Sequence, residues 1–358
     1  MTHCIGIDIG GTTSTIAVGD NHRTVLHVSD QFLSNTSAGP DATIEAIAVA
    51  VRQSLDRTGI AADQVTDIGL STPGPATLNG ELRKTPNLDP KLWNHFPFRA
   101  ALEQKVRQFS PATVHYIGDG QAAALGEYSI RTRSLSWHAV SLPDSRRPKS
   151  LFMVIVGTGL GGGEVYQGRP VRGMAGRAGH AGHIFLPSTA FRYEHDQQLV
   201  VGNAKATVES AVSLTALTHQ LEYRLQLSQW KNHTLRTAPG STKDKAKQLR
   251  TLAAKGDPLA LELFQDQARA LGIGLLAINY LGDYDLLVIG GGVCDLAAEV
   301  RDRYRITAEN AYRELALEGF NDLGQLDFSV CGDEAPVIGA LAHAYLMIEA
   351  DERQNDVI

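Results

Sequence analysis

A glycine-rich turn opens this chain and recurs twice, each time at the end of an apolar, strand-like run. Asp8-Ile9-Gly10-Gly11-Thr12-Thr13 follows the apolar residues 4–7 and precedes a second strand-like run, 15–18. Gly157-Thr158-Gly159-Leu160-Gly161-Gly162-Gly163 follows 151–156 in the same way, and Gly290-Gly291-Gly292 follows 285–289. A strand that ends in residues without side chains lets backbone N–H groups close on an anion. Three such ends in one chain point to a polyphosphate, most simply ATP.

One turn alone would constrain little, because hairpins use glycine whether or not anything binds. The first two turns lie between strands rather than between a strand and a helix. No Gly-Lys-Ser/Thr occurs, and 159–163 is no Gly-x-Gly-x-x-Gly opening a helix, so the P-loop and the dinucleotide fingerprint are both unmatched. Two phosphate hairpins about half a chain apart suggest a duplicated architecture with the nucleotide between the halves. A length of 358 residues agrees with two lobes.

The periodicity predicts an α/β lobe over 1–128, with a helix over 41–57 whose Ile44, Ile47, Val51 and Leu55 share a face, and further helices over 98–109 and 121–128. Residues 129–150 read as an inserted polar loop. A second α/β lobe over 151–335 holds helices at 208–228, 242–255, 257–281 and 295–317. A C-terminal helix over 336–350 packs back on the first lobe, and the tail beyond it is expected to fray. A net charge of −6 gives no basic footprint for nucleic acid. Cys4, Cys294 and Cys331 lack Cys-x-x-Cys spacing and read as reduced thiols. No apolar run is long enough to span a membrane, and no signal peptide opens the chain, so a cytoplasmic protein is expected.

The paired hairpins resemble those of the two-lobed actin-like ATPase fold, which is ribonuclease H-like and carries its active site in the cleft between lobes. Within that superfamily the chain resembles the ROK family of sugar kinases and sugar-responsive repressors over nearly its whole length. The resemblance rests on Asp8-Ile9-Gly10-Gly11-Thr12, on Pro73-Gly74-Pro75 and Thr85-Pro86-Asn87-Leu88 with Trp93 behind them, and on Gly118-Asp119-Gly120-Gln121 leading into an alanine-rich helix with Gly126 and Glu127. It continues through 157–163, Ala178-Gly179-His180-Ala181-Gly182-His183, and Gly256-Asp257-Pro258 onward to Ile289-Gly290-Gly291-Gly292-Val293. The repressors carry an N-terminal helix-turn-helix domain, whereas the phosphate strand starts here at residue 3, so a kinase is expected.

The resemblance implies ATP-dependent phosphorylation of a primary hydroxyl on a hexose or hexose-like polyol, with Asp119 as general base. Asp119 opens a helix, where unpaired N–H groups should keep its carboxylate ionised, and a plain N-cap is the competing reading. Asp8 would hold Mg²⁺, directly or through water, or else cap the turn. Gly10, Gly11, Thr12, Gly157, Thr158 and Gly159 would meet the phosphates, and Gly290, Gly291 and Gly292 the adenosine. Asn87, Asp119, His180, His183 and Glu209 are the sugar candidates. Glu209 could equally be a first-turn helix acid, and His180 could point away from the acceptor. Closure of the lobes on substrate and a homodimer are further family expectations.

Three departures stand out. Many members carry a Cys-x-Cys-Gly-x-x-Gly-Cys-x-Glu zinc segment where this chain reads 199–209 without a cysteine, so no zinc is expected, with Val200 and Val201 packing in its place. The residue before the aspartate is Gly118 instead of Asn, and His180 replaces a glutamate. An imidazole lacks the two acceptor oxygens of a carboxylate, so the preferred acceptor should differ from glucose. Two other readings remain open, a sugar sensor with little turnover and a conformational ATPase without a sugar acceptor.

Overall fold

The computed structural model describes residues 2–83, 85, 88–142 and 147–355. In chain order the strands are β1 (His3–Ile9), β2 (Thr13–Gly19), β3 (Val25–Val28), β4 (Phe32–Leu33), β5 (Val65–Thr72), β6 (Thr113–Gly118), β7 (Ser150–Val156), β8 (Leu160–Tyr166), β9 (Arg169–Pro170), β10 (Leu286–Gly291) and β11 (Leu326–Phe328). The helices are α1 (Pro40–Thr58), α2 (Pro90–Trp93), α3 (Phe98–Val106), α4 (Asp119–Thr132), α5 (Val208–Val212), α6 (Leu214–Arg224), α7 (Thr242–Lys247), α8 (Leu249–Ala254), α9 (Pro258–Gly282), α10 (Ala298–Leu315) and α11 (Ala335–Asn355). The chain divides into two compact units. One comprises Met1–Leu151, Gly163–Gly179 and Val330–Ile358, and the other Phe152–Gly162 and His180–Ser329.

The first unit is built on a six-stranded sheet in the order β3-β2-β1-β5-β6, with β4 beside β2. β1 runs antiparallel to β2 and parallel to β5, which in turn runs parallel to β6. α1 starts at Pro40 after Gly39 and stops at Gly59, whose φ of 68° only a residue at ease in the left-handed region adopts cheaply. Its buried Ile44, Ile47, Val51 and Leu55 join Ile5, Ile7 and Ile68 in one apolar cluster. Each such side chain contributes about 1.5–3 kcal/mol on burial.

α11 crosses α4 at a point where only glycine fits. A Cβ on Gly339 would lie 1.6 Å from the Ala122 carbonyl oxygen, and one on Gly126 would lie 2.3 Å from that of Ala335. Glu127 fastens the same crossing. It is fully buried, pairs with Arg131 at 2.7 Å, and accepts the backbone N–H groups of Val330 at 3.0 Å and Cys331 at 3.2 Å. The close approach of α11 is thus what requires glycine at 126 and 339.

The second sheet has five strands in the order β11-β10-β7-β8-β9, with β10 and β11 parallel. In the second unit α9 lies against α10. α9 begins at Pro258 behind Asp257, whose carboxylate accepts the Ala260 N–H, and its buried face joins Val208, Leu221 and Tyr304 in that unit's core. All three cysteines are free thiols. Among the described residues no helix is long and apolar enough to cross a membrane.

Several boundaries differ from the sequence reading. α4 begins at Asp119 and runs to Thr132, so 129–132 are its last turn and no part of an inserted loop. The stretch 208–228 breaks at Ser213, whose side chain accepts the Ala216 N–H and starts α6 afresh. The stretch 242–255 breaks at Gln248 into α7 and α8. α11 continues through 349–355, where fraying was expected.

Candidate active site

In the first unit three parallel strands end side by side. Asp8 on β1 is level with Ser71 on β5, which is level with Ile117 on β6, and Thr72 is level with Gly118. Asp8, Thr72 and Asp119 therefore stand at the carboxyl ends of neighbouring strands, the edge at which open α/β sheets bind ligands. The Ser71 hydroxyl donates to Asp8 at 2.8 Å. Burial pushes the Asp8 pKa up to about 7. The Ser71 hydrogen bond opposes that rise, and the nearby charge of Asp119 adds to it.

Asp119 is the first residue of α4, and its carboxylate accepts the Gly120 N–H at 2.7 Å. The helix N–H groups do not dominate its ionisation as the sequence reading expected. The protein packed around it outweighs them and pushes the pKa up to about 6. The residue nevertheless keeps an exposed surface, and that contact with water moderates the rise. Neither Asp8 nor Asp119 has an ion-pair partner among the described residues. A carboxylate poised near neutrality and free of a cation is suited to accept a proton.

The glycine turn beside them is closed by its own backbone. The Gly10 N–H donates to the Thr13 carbonyl at 2.9 Å. The Thr12 carbonyl accepts the Ser34 N–H, and the Gly11 carbonyl accepts the Thr36 hydroxyl at 2.6 Å. With its carbonyls tied back, the turn leaves the N–H groups of Gly11 and Thr12 unengaged among the described residues. Asn87, the sugar candidate of this region, lies outside the described residues.

The second unit repeats the device. The Gly157 N–H donates to the Gly159 carbonyl at 2.9 Å, while the Gly157 and Thr158 carbonyls accept the Leu214 and Thr215 N–H groups at the start of α6. The N–H groups of Thr158 and Gly159 are left unengaged among the described residues. Glu209, on the first turn of α5, accepts the Leu160 N–H at 2.8 Å, and a Cβ on Gly159 would lie 2.9 Å from the same oxygen. Gly182 packs against Glu209, and the His180 and His183 rings lie 6.3 Å apart. Gly291, with a φ of 76°, passes so close to β7 that a Cβ would sit 2.5 Å from the Val156 carbonyl oxygen. Gly292 lies against Arg250, which pairs with Asp295 at 2.7 Å.

The second unit thus gathers Gly157, Thr158, Gly159, His180, His183, Glu209, Gly290, Gly291 and Gly292, and the first gathers Asp8, Gly10, Gly11, Thr12 and Asp119. The expected packing of Val200 and Val201 is not what the structure has. Val200 is 55% exposed, because the tight turn bridging Val201 and Ala204 leaves it facing water. The segment just before it is held by charge instead. Arg224, fully buried, grips both oxygens of Asp196 at 3.0 and 2.8 Å, reaches Asp266 at 3.2 Å, and lies 4.0 Å from the Tyr193 ring centre. His195 stacks between His219 and Tyr223 beside it.

Sequence reasoning missed Ser71 and the Leu160 N–H. Ser71-Thr72 closes an otherwise apolar strand, and pairing that strand with β1 would have placed a donor beside Asp8. Arg224 and Asp196 are too far apart in sequence for any local pattern to join them.

A model of the ROK family matches residues 4–346. A glucokinase of Streptomyces coelicolor is 26% identical over 343 residues, covering 94% of this chain and 95% of that protein. The crystal structure of a ROK hexokinase from Thermus thermophilus superposes with a TM-score of 0.74 at 27% identity, covering 98% of this chain and all of that one. A ROK glucokinase from Streptomyces griseus, solved in complex with glucose and AMPPNP, superposes with a TM-score of 0.73 at 25% identity, covering 96% and 99%.

Proposed function

The chain belongs to the ROK family, and from that premise we propose that it transfers the γ-phosphoryl group of ATP to a primary hydroxyl of a hexose or hexose-like polyol. The observation that carries this reading is Asp119, at a parallel strand end beside Asp8, where burial raises its pKa to about 6 and no ion-pair partner stands beside it among the described residues. The glucokinase and hexokinase relatives support it.

Asp119 takes the proton of the acceptor hydroxyl as that oxygen bonds to the γ-phosphorus. The bond from phosphorus to the β–γ bridging oxygen breaks, and ADP leaves with the electron pair. Gly11, Thr12, Thr158 and Gly159 supply backbone N–H groups to the phosphates, while Gly10 and Gly157 spend theirs on closing the turns. Gly290, Gly291 and Gly292 leave room for the adenosine. Asp8 suits Mg²⁺, because an unpaired carboxylate among few other protein ligands matches a cation that keeps most of its waters and takes the rest from phosphate. When bound, that ion neutralises charge developing on the phosphates. Zinc has no role in this reading.

His180, His183 and Glu209 contact the sugar, with Asn87 and Asp119. Glu209 also fixes the phosphate turn through Leu160. Because His180 stands where the family resemblance implies a carboxylate and Gly118 where it implies an amide, the acceptor is a hexose or hexose-like polyol whose preferred ring substituents differ. The reaction belongs to the cytoplasm, where ATP and reduced thiols coexist.

The test is a screen of hexoses, amino sugars and cyclitols for stimulated ADP release, with the phosphorylated product identified. Acceptor-dependent ADP and product in equal amounts are expected. ADP release indifferent to every acceptor would make the protein a conformational ATPase. Sugar binding without ADP release would make it a sensor.

A further inference from the structure

Gln121 lies in the first turn of α4, two residues after Asp119. It is only 4% exposed, and its Nε2 donates to two backbone carbonyls, that of Gly176 at 3.3 Å and that of Ala178 at 3.1 Å. A carbonyl only accepts, so the two bonds fix which end of the amide carries the nitrogen. Oε1 is left buried beside Gly118, without a partner among the described residues and 3.6 Å from where a Cβ at 118 would stand. A buried acceptor stripped of water offsets much of what two neutral hydrogen bonds contribute. Stability therefore does not account for an amide at this position, and an unsatisfied buried group calls for another reason.

That reason lies in what the amide holds, the segment 172–178 that follows β9. The Arg172 guanidinium donates to the Leu78 carbonyl at 3.0 Å, and the Arg172 carbonyl accepts the Ala178 N–H at 3.2 Å. Gly176, with a φ of 77°, passes so close to 76–78 that a Cβ would lie 3.3 Å from both the Ala76 carbonyl oxygen and the Leu78 nitrogen. Residues 76–82 form a turn in which Ala76 pairs with Leu82 and the Thr77 N–H donates to the Glu81 carbonyl at 2.9 Å. In sequence this turn follows Pro73-Gly74-Pro75 and leads to Asn87, the stretch proposed to meet the acceptor. The segment 172–178 is thus stitched to that turn by Arg172 and Gly176, and to the start of α4 by Gln121. Among the described residues no hydrogen bond joins 76–82 to 119–122 directly.

We propose that Gln121 is a positioning residue, which through 172–178 holds the acceptor-side turn 76–82 in register with Asp119. Its amide is buried under the segment and acts through backbone, so it touches neither the acceptor nor the base. The consequence for catalysis rests on the proposed transfer to a sugar, whereas the tie itself lies wholly within the first unit and is read without turnover.

Hydrogen exchange of the full chain, beside steady-state kinetics and a thermal melt, tests the proposal. Gln121→Met keeps the length of the side chain, loses both bonds and removes the orphaned acceptor, so the melting temperature should hold. Exchange in 173–178 and in 76–82 should quicken by about tenfold or more. KM for the best acceptor should rise by about tenfold, with KM for ATP unchanged. Gly176→Ala cuts the same tie at its other end and should do likewise, and the double variant should be no worse than the poorer single one. Exchange in 76–82 indifferent to both variants would overturn the proposal. So would a rise in KM for ATP equal to that for the acceptor, or full multiplication of the two effects in the double variant. A chain that turns over no acceptor would end the transfer reading, while exchange in 76–82 would still decide whether Gln121 holds that turn.

Discussion

In the first unit's hairpin the Gly10 N–H turns back on the Thr13 carbonyl, and in the second unit's hairpin the Gly157 N–H turns back on the Gly159 carbonyl. Both turns present the next two N–H groups outward. They differ in what stands beside them. The first has two carboxylates, Asp8 and Asp119, bonded to one hydroxyl and one N–H and with no ion-pair partner among the described residues, and both pKa values are raised. The second has one carboxylate, Glu209, which is bonded to the turn itself, and the turn is braced by the start of α6. Under the proposed reaction the same backbone device would serve proton chemistry where its acids lie beside the turn, and positioning where its acid is bonded to the turn itself.

The largest effect that separates the two is expected at Asp119. Asp119→Asn retains an oxygen for the Gly120 N–H, so the fold should survive while kcat drops by about 10²- to 10⁴-fold, the loss expected for a general base. Steady-state kinetics beside a thermal melt check this. A comparable fall in kcat on Glu209→Gln would erase the distinction between the hairpins.

Next in size is the support of the second unit. Removing one partner of a buried ion pair costs about 3–5 kcal/mol, so Asp196→Ala should lower the unfolding free energy from denaturant titration by that much and move the midpoint down with it. The midpoint of the wild-type protein is expected not to change with a chelator, because 199–209 carries no cysteine to hold zinc. A chelator-induced fall would mean that a metal holds it after all.

A smaller effect is expected at Glu209. Glu209→Ala strips the Leu160 N–H of its acceptor, a bond to a charged group that contributes about 1.5–3 kcal/mol, and should raise KM by roughly tenfold or more. Glu209→Gln keeps an acceptor and should be milder. Equal losses in both variants would assign the residue to the sugar rather than to the turn. The smallest change is expected for His180→Glu, which restores two acceptor oxygens and should shift the ranking of sugars toward glucose by about tenfold. An unchanged ranking in a panel of kcat/KM values would place specificity elsewhere.

Much of this was legible before the structure, for identifiable reasons. Glycine turns at strand ends are local, so Asp8, Gly10 to Thr12 and Gly157 to Gly159 could be marked in the sequence as a set. The buried face of α1 follows from periodicity. Contacts between distant residues were not legible. Nothing near Glu127 announces that it binds the Val330 and Cys331 N–H groups, or near Ser71 that it meets Asp8. The rise in the Asp119 pKa was not legible because a helix start is visible in sequence, whereas the protein packed around it is not. Val200 was misplaced for a similar reason, since hydrophobicity does not show which way a turn faces.

The central claim is that Asp119 acts as a base in a reaction driven from the first unit, and the pH dependence of kcat/KM for the best acceptor tests it most directly. An acid whose pKa is raised to about 6 is ionised, and able to take a proton, only above that value. At saturating Mg²⁺, which would hold Asp8 ionised, activity should therefore be level near pH 8 and fall by about tenfold per unit below pH 6, with that limb lost in Asp119→Asn. A wild-type profile flat from pH 5 to 8, or the same limb in Asp119→Asn, would contradict the account.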